Sequence, residues 1–192
     1  MDHLWTPWRY AYVTNEDTRE GRAGVPAALA AWPGDHHCVF CNLIAAADYA
    51  VEHGTPPEDA DRAANIVLRG KTCYVCLNAY PYTSGHVMVV PYVHEGSLGA
   101  LAPEVAQEMM ALTQRSAAAQ ERAYSPDGFN VGLNVGKAAG AGVAGHLHMH
   151  VLPRWVGDTN FMTVTGETRV LPELLEQTWR RLREAFAGIQ PY

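Results

Sequence analysis

Several short stretches of the chain alternate apolar and polar positions, and two longer ones repeat apolar residues at helical spacing. Asn65–Arg69 and Cys73–Asn78 read as strands around a turn at Gly70-Lys71. A third strand, HVMVVPYV, spans 86–93, and Pro81 and Gly85 punctuate the connection before it. From Pro103 to about Tyr124, Val105, Met109 and Leu112 recur on one helical face. Pro103 suits the first turn and Glu104 the positive end of the helix dipole; Ser125–Gly128 ends the helix. Phe129–Asn134 and Leu147–Leu152 are two more strands, flanking the small-residue loop GKAAGAGVAG at 136–145. Pro172–Ala187 is a second helix with Leu174, Leu175, Trp179, Leu182 and Phe186 on one side. The pattern predicts an α+β fold of about five strands, one long central helix and a C-terminal helix.

Two segments lack a clean period. Residues 1–37 carry Trp5, Trp8, Tyr10, Tyr12 and Trp32 among prolines and glycines, and read as an arm that packs on something, a partner subunit included. Residues 48–62 are acid-rich, with Pro56 and Pro57 and few bulky apolar residues, and read as an exposed loop inserted in the domain. The domain itself is expected over 38–160, followed by a C-terminal extension over 161–192 that carries the helix.

Composition narrows the class. The 192 residues, 48% of them hydrophobic, suffice to bury roughly 70% of the unfolded surface without disulfides. Fourteen Lys plus Arg against twenty Asp plus Glu give a net charge of −6, which argues against a broad nucleic-acid-binding face. No apolar run approaches the ~20 residues of a membrane span. The first residues lack a basic segment followed by an apolar one, so no secretion signal is expected. Four cysteines in such a chain point to a reducing cytoplasm, as thiols or metal ligands.

The segment His146-Leu147-His148-Met149-His150-Val151-Leu152 carries the most information. Residues two apart share a face only on a strand, so this spacing presents three imidazoles side by side, roughly 6–7 Å apart. Three readings compete. The first is a polar surface strand, disfavoured because histidine is scarce and three in strict alternation is improbable. The second is a set of three zinc ligands. The third is nucleophilic catalysis: imidazole attacks well at neutral pH if one nitrogen is kept deprotonated and aimed, and a phosphoryl or nucleotidyl group is a natural electrophile. Glycines 136, 140, 142 and 145 just upstream let backbone N–H groups converge on phosphate oxygens, although such a loop alone reads as an ordinary flexible connection.

The H-φ-H-φ-H-φ-φ pattern, φ being apolar, resembles the signature of the histidine triad (HIT) family of nucleotide hydrolases and transferases. The resemblance covers residues 38 to about 156. Asn78 stands eight residues before His86 in N-x(6)-G-H, Asn134 precedes the triad by about the family interval, and Pro153-Arg154 follows it. LWTPWR at 4–9, NAYPY..GHVMVVPY at 78–92, GFNVGLN at 128–134 and HLHMHVLPRW..D.NF at 146–161 are similar to a phosphorylase-like bacterial branch.

The resemblance implies an antiparallel sheet. It implies a dimer that continues the sheet across subunits, which the aromatic arm could extend to a tetramer. It gives His148 the role of nucleophile in a nucleotidyl-histidine intermediate, and places His150 on the scissile phosphate and leaving group. Asn134 would bind phosphate and Asn78 ribose hydroxyls. Gly140 and Gly142 would line the phosphate loop, and Trp155 would stand near the phosphate end. An apolar base pocket is expected around the Leu77 strand and the segment upstream of it.

Many HIT hydrolases carry Gly-Gln-Ser/Thr before the triad, whereas this chain has Gly140-Ala141-Gly142-Val143-Ala144-Gly145. The missing amide leaves room for an acceptor larger than water. The implied reaction is phosphorolysis of diadenosine tetraphosphate (Ap4A) by inorganic phosphate to ATP and ADP. The alternatives are hydrolysis of dinucleoside polyphosphates or nucleoside phosphoramidates, and a nucleotide sensor without turnover.

Cys38-Val-Phe-Cys41 lets two thiolates grip one tetrahedral metal, or else forms a thiol or redox pair. Some bacterial HIT proteins bind structural zinc through such a motif, and the resemblance completes the ligand set with His94 and His146. His36 and His37 stand near enough in sequence to substitute. Cys73 and Cys76 repeat the spacing within a strand, where positions three apart face opposite sides, so they are read as core residues. His3 and His53 read as surface residues. Gly136-Lys137 followed by Ala138 lacks the rest of a phosphate-binding P-loop.

Overall fold

The computed structural model describes residues 22–158 and 173–189. Five strands occur there: β1 (Ile66–Arg69), β2 (Cys73–Leu77), β3 (Val87–Pro91), β4 (Gly128–Leu133) and β5 (Met149–Arg154). Four α-helices accompany them: α1 (Val39–Glu52), α2 (Pro57–Ala63), α3 (Pro103–Tyr124) and α4 (Leu175–Ala187). The strands form one antiparallel sheet in the order β1-β2-β3-β5-β4. The α+β expectation is borne out, and every expected strand and both expected helices are present.

The sheet is covered on both faces. Cys73, Val75 and Leu77 of β2 point into a core made with Val105, Met109 and Leu112 of α3 and Trp179, Leu182 and Phe186 of α4. Tyr74 and Cys76 point the other way, toward Phe40, Ala46 and Ala47 of α1 and Ala60 of α2. Cys73 and Cys76 thus sit on opposite faces, both fully buried. Leu77 itself faces the α3 layer, while Cys76 of the same strand and Met88 lie on the face of the sheet that carries His150. Leu174 lies just before α4 and is exposed, outside the apolar stripe expected for it.

The acidic segment 48–62 is not a loop. It holds the end of α1, a turn, and nearly all of α2. Pro57 occupies the start of α2, with Glu58 and Asp59 in its first turn, where a missing N–H costs nothing and negative charge is favoured. Apart from Phe40 at the start of α1, the buried apolar residues of these two helices are small alanines, Ala46, Ala47 and Ala60, so side-chain bulk within 48–62 gives no sign of the burial.

Residues 22–37, the described part of the arm, pack onto the α1–α2 side through Leu29 and Trp32. Arg22 fastens this segment by donating to the carbonyls of Gly34 and Ala30. Trp5, Trp8, Tyr10, Tyr12 and His3, together with residues 159–172, lie outside the described residues. Among the described residues no helix is long and apolar enough to cross a membrane.

Two features set up the site. The fully buried Gln120 of α3 donates to the carbonyls of Gly85 and Val151, tying the start of β3 to the middle of β5. Gly85 adopts φ +79°, and a Cβ there would meet the Tyr124 ring at 2.9 Å, so the turn delivering His86 requires glycine.

Candidate active site and metal centre

The histidine segment enters the sheet later than its spacing predicts. The β3–β5 ladder runs from Val87 opposite Val151 to Val89 opposite Met149. Two steps further, Pro91 has no N–H to offer. Its carbonyl instead accepts from Nε2 of His146 at 2.9 Å, and the Leu147 amide turns to the carbonyl of Glu95. His148 therefore stands on the lead-in just before β5 and His146 at a bend ahead of it, and only His150 lies in β5 proper. All three are buried.

Each ring is held differently. A carbonyl only accepts, so the proton of His146 is on Nε2 and its Nδ1 offers a lone pair. His148 donates from Nδ1 to the carbonyl of His146 at 2.9 Å, which places the lone pair of the neutral ring on Nε2. Burial lowers the pKa of His148 below 6.5, against the opposing effect of that backbone bond, and so favours the neutral ring. Its ring lies 4.9 Å from Phe40 and 5.0 Å from His150, centroid to centroid.

His150 is oriented by a residue to which the sequence reading assigned no role. His86, almost fully buried, accepts at Nδ1 from the Tyr82 amide at 3.2 Å and from the Asn78 carboxamide at 3.3 Å. Its proton is therefore on Nε2, which donates to Nδ1 of His150 at 2.9 Å. By the same logic His150 carries its own proton on Nε2. His148 and His150 thus form a complementary pair: one Nε2 with a lone pair, the other with a proton. The Tyr82 ring covers both His86 and His150, with centroids 4.8 and 6.0 Å away.

The other expected site residues fall at different distances from this pair. Gly132 pairs with His150 and Leu133 with Met149, and Asn134 and His148 are the next residues beyond the end of that ladder. Gly140 and Gly142 are on the loop that joins β4 to the triad; Gly140 has φ +83°, in open space. The Asn78 carboxamide is engaged within the protein, its oxygen with the Tyr80 amide and its nitrogen with His86. Trp155 packs edge-to-face on Tyr124, 6.3 Å away, and shares with Tyr82 the wall of a cavity of about 810 Å³.

Cys38, Cys41, His94 and His146 converge, with their ligand atoms all within 4.8 Å of one another. Nδ1 of His146 is 3.4 Å from Sγ of Cys38 and 3.5 Å from Sγ of Cys41, and Nδ1 of His94 is 3.3 Å from Sγ of Cys41. Tetrahedral zinc bonds of about 2.0–2.3 Å imply ligand separations of roughly 3.3–3.8 Å, the range in which these three Sγ–Nδ1 distances fall, and two thiols with two imidazoles are a zinc donor set. The Pro91 carbonyl supplies the outer partner that orients a metal-binding histidine. Burial, then the neighbouring Cys38, push the Cys41 thiol up to about 11, and a divalent cation would supply the positive charge that lets both sulfurs ionise. His36 and His37 are exposed and turn to Trp32 and Asp35 instead.

Residues 60–156 match the family model described as HIT domain. The chain belongs to the HIT family. An AP-4-A phosphorylase of Mycobacterium tuberculosis is 38% identical over 187 residues, covering 97% of this chain and 85% of that protein. A Zn-bound histidine triad family protein from Mycobacterium smegmatis superposes with a TM-score of 0.58 at 33% identity, covering 78% of this chain and 93% of that one. A HIT-like protein from Bartonella henselae, described as involved in cell-cycle regulation, does so with a TM-score of 0.53 at 26% identity, over 62% of this chain and 84% of that one. The comparisons agree with the family resemblance carried by the triad and its flanks.

Proposed function

We propose that this HIT protein is an Ap4A phosphorylase acting through a nucleotidyl-histidine intermediate. The observation that carries the chemistry is the His148 Nδ1 bond to the His146 carbonyl, which leaves Nε2 as the nucleophile. The near full-length similarity to an AP-4-A phosphorylase supports the choice of substrate.

In the first step Nε2 of His148 bonds to an α-phosphorus of Ap4A as the bridging P–O bond breaks and ATP leaves. The Nε2 proton of His150 stabilises, and can be given to, the departing oxygen. In the second step an oxygen of inorganic phosphate bonds to the same phosphorus, the N–P bond breaks, and ADP leaves with His148 restored. Asn134 and the loop of Gly140 and Gly142 supply donors to phosphate oxygens. The glycine at 142 and the lack of a Gln-Ser/Thr pair leave space for phosphate as acceptor.

Cys38, Cys41, His94 and His146 would hold a structural zinc ion that fastens the start of α1 to the lead-in of β5; metal analysis of the purified protein tests this. The protein would act as a homodimer joined at β4, an edge strand that carries the exposed Val131; Met110 of α3 is exposed as well.

The deciding experiment is incubation with Ap4A, with and without inorganic phosphate, followed by nucleotide separation. ADP plus ATP only with phosphate is the expected result. AMP plus ATP regardless of phosphate would make the protein a hydrolase. Binding with no turnover of any adenylylated compound would make it a sensor.

A further inference from the structure

The metal centre and the nucleophile meet in one residue. His146 has its Nδ1 among the cysteine sulfurs and its Nε2 on the Pro91 carbonyl, while its own carbonyl receives the Nδ1 proton of His148. A ring held at both nitrogens cannot rotate, and the His146 carbonyl shares one peptide plane with the Leu147 amide, which is bonded to the Glu95 carbonyl beside His94. A second link runs through the cysteine motif. Phe40, between Cys38 and Cys41, packs its ring on His146 at 5.4 Å and on His148 at 4.9 Å. A third fixes the chain next to each ligand, where the Leu147 amide donates to the Glu95 carbonyl at 2.7 Å, one residue past each histidine.

From these contacts we infer that the Cys38–Cys41–His94–His146 centre is a positioning device for catalysis: metal bound there locks the His146 carbonyl and the Phe40 ring, and through them holds His148 in the one tautomer that can attack phosphorus. Without the ion the sulfurs and the two imidazoles have no common partner. The His146 ring then keeps only its Pro91 bond, the backbone of His94-Glu95 and His146-Leu147 loosens, and His148 samples the tautomer whose Nε2 is protonated and inert. The cost falls on the chemical step rather than on substrate binding, because none of the four ligands is placed on substrate. Outer contacts of this kind typically change activity by about 10–100-fold.

The inference rests on the reading of His148 as nucleophile and of the four residues as a metal centre. It is tested with histidine-labelled protein, zinc-loaded and chelator-stripped, by long-range proton–nitrogen correlation spectra of the His148 ring. The loaded protein should show a single Nδ1-protonated form, and the stripped protein a mixture. His94→Ala, which removes an exposed ligand at the rim, should lower kcat about 10–100-fold with KM within about threefold, and His94→Cys should restore both kcat and the single tautomer. In His94→Ala titrated with zinc, kcat and tautomer should rise together.

A folded stripped protein, or a folded His94→Ala variant, that keeps the parental tautomer and kcat would overturn the inference. So would unfolding of both, since the centre would then hold the fold rather than one ring. Purified protein that takes up no stoichiometric metal would overturn the metal reading itself. Bound metal to which His148 is indifferent overturns only the coupling.

Discussion

Nε2 of His86 lies 2.9 Å from Nδ1 of His150, and the direction of that hydrogen bond follows from its far end. The Tyr82 amide can only donate, so Nδ1 of His86 must accept, and the proton must pass toward His150. A backbone amide in the β2–β3 connection thereby determines which nitrogen of a triad residue carries hydrogen. On a single face of the sheet, His148 and His150 receive opposite tautomers from two backbone groups.

His86→Phe keeps an aromatic ring in the site but removes this donor. The expected loss in kcat is about 10–100-fold, at or below the 10²–10⁴ that loss of an acid–base group itself costs. His150→Ala should fall further, and the double variant no further than His150→Ala alone. Steady-state rates with Ap4A and phosphate check this; a His86→Phe enzyme as fast as the parent would remove His86 from the relay.

The carboxylate of Glu108 reaches from α3 to the β1–β2 turn, where it accepts from the amides of Lys71, Thr72 and Cys73 and from the Thr72 hydroxyl. Burial alone would raise its pKa, but these four donors outweigh it and hold the value below the ordinary 4.5. A carboxyl depressed on folding adds stability that is complete above its unfolded pKa and lost as pH falls through the folded one. Glu108→Gln should therefore cost about 1–3 kcal/mol at pH 7. Urea unfolding should show the gap from the parent closing below pH 4.5; a gap that stays constant down to pH 3 would mean that the charge contributes nothing.

The triad was legible because a period of two has one structural meaning, and the alternation of His146, His148 and His150 with Leu147, Met149 and Val151 admits only an extended chain. The later start of β5 was hidden because it depends on which residue of β3 faces the segment, and Pro91 does so only through the sheet register. The role of His86 was hidden for the same reason: the sequence gives its distance from Asn78 but not its place diagonal to His150. The α1–α2 layer was misread because alanine burial leaves little trace in hydropathy and Pro57 marks a helix start as readily as a turn. The spacing of Cys38 and Cys41 leaves a metal pair and a thiol or redox pair open; the family resemblance supplies His94 and His146 as partners, and the four come together where β3 and the lead-in to β5 lie side by side.

Arg69 of β1 grips both helices of that layer. It donates from Nε to Asp61 at 2.8 Å and from Nη1 to Asp48 at 2.6 Å. Asp61 is only 7% exposed, so loss of the guanidinium would strand a buried carboxylate. Arg69→Leu should destabilise by about 2–3 kcal/mol, under the 3–5 of a fully buried pair because the arginine side is partly exposed. Adding Asp61→Asn should recover part of the loss. If chemical denaturation shows the single and double variants to be equally unstable, the pair is not coupled.

The outer edge of β4 is where the quaternary proposal is most exposed to test. Its inner side pairs along its whole length with β5, while among the described residues no strand covers its outer side. An edge that nature leaves open is normally charged, bulged or short; this one runs six residues, Gly128–Leu133, with Val131 48% exposed at its middle. Val131 pairs with Val151, whose side chain lies in the α3 core, so it projects toward the flank of α3, where Met110 is 50% exposed. An apolar edge and an apolar helix flank on the same side suit a two-fold partner burying at least about 1,000 Å². Val131→Lys should convert a dimer to a monomer in sedimentation at micromolar concentration while leaving the helical signal unchanged. Because β4 also carries Gly132 opposite His150 and leads into Asn134, the monomer should turn over Ap4A more slowly. A Val131→Lys protein that sediments as the parent does would place the interface elsewhere.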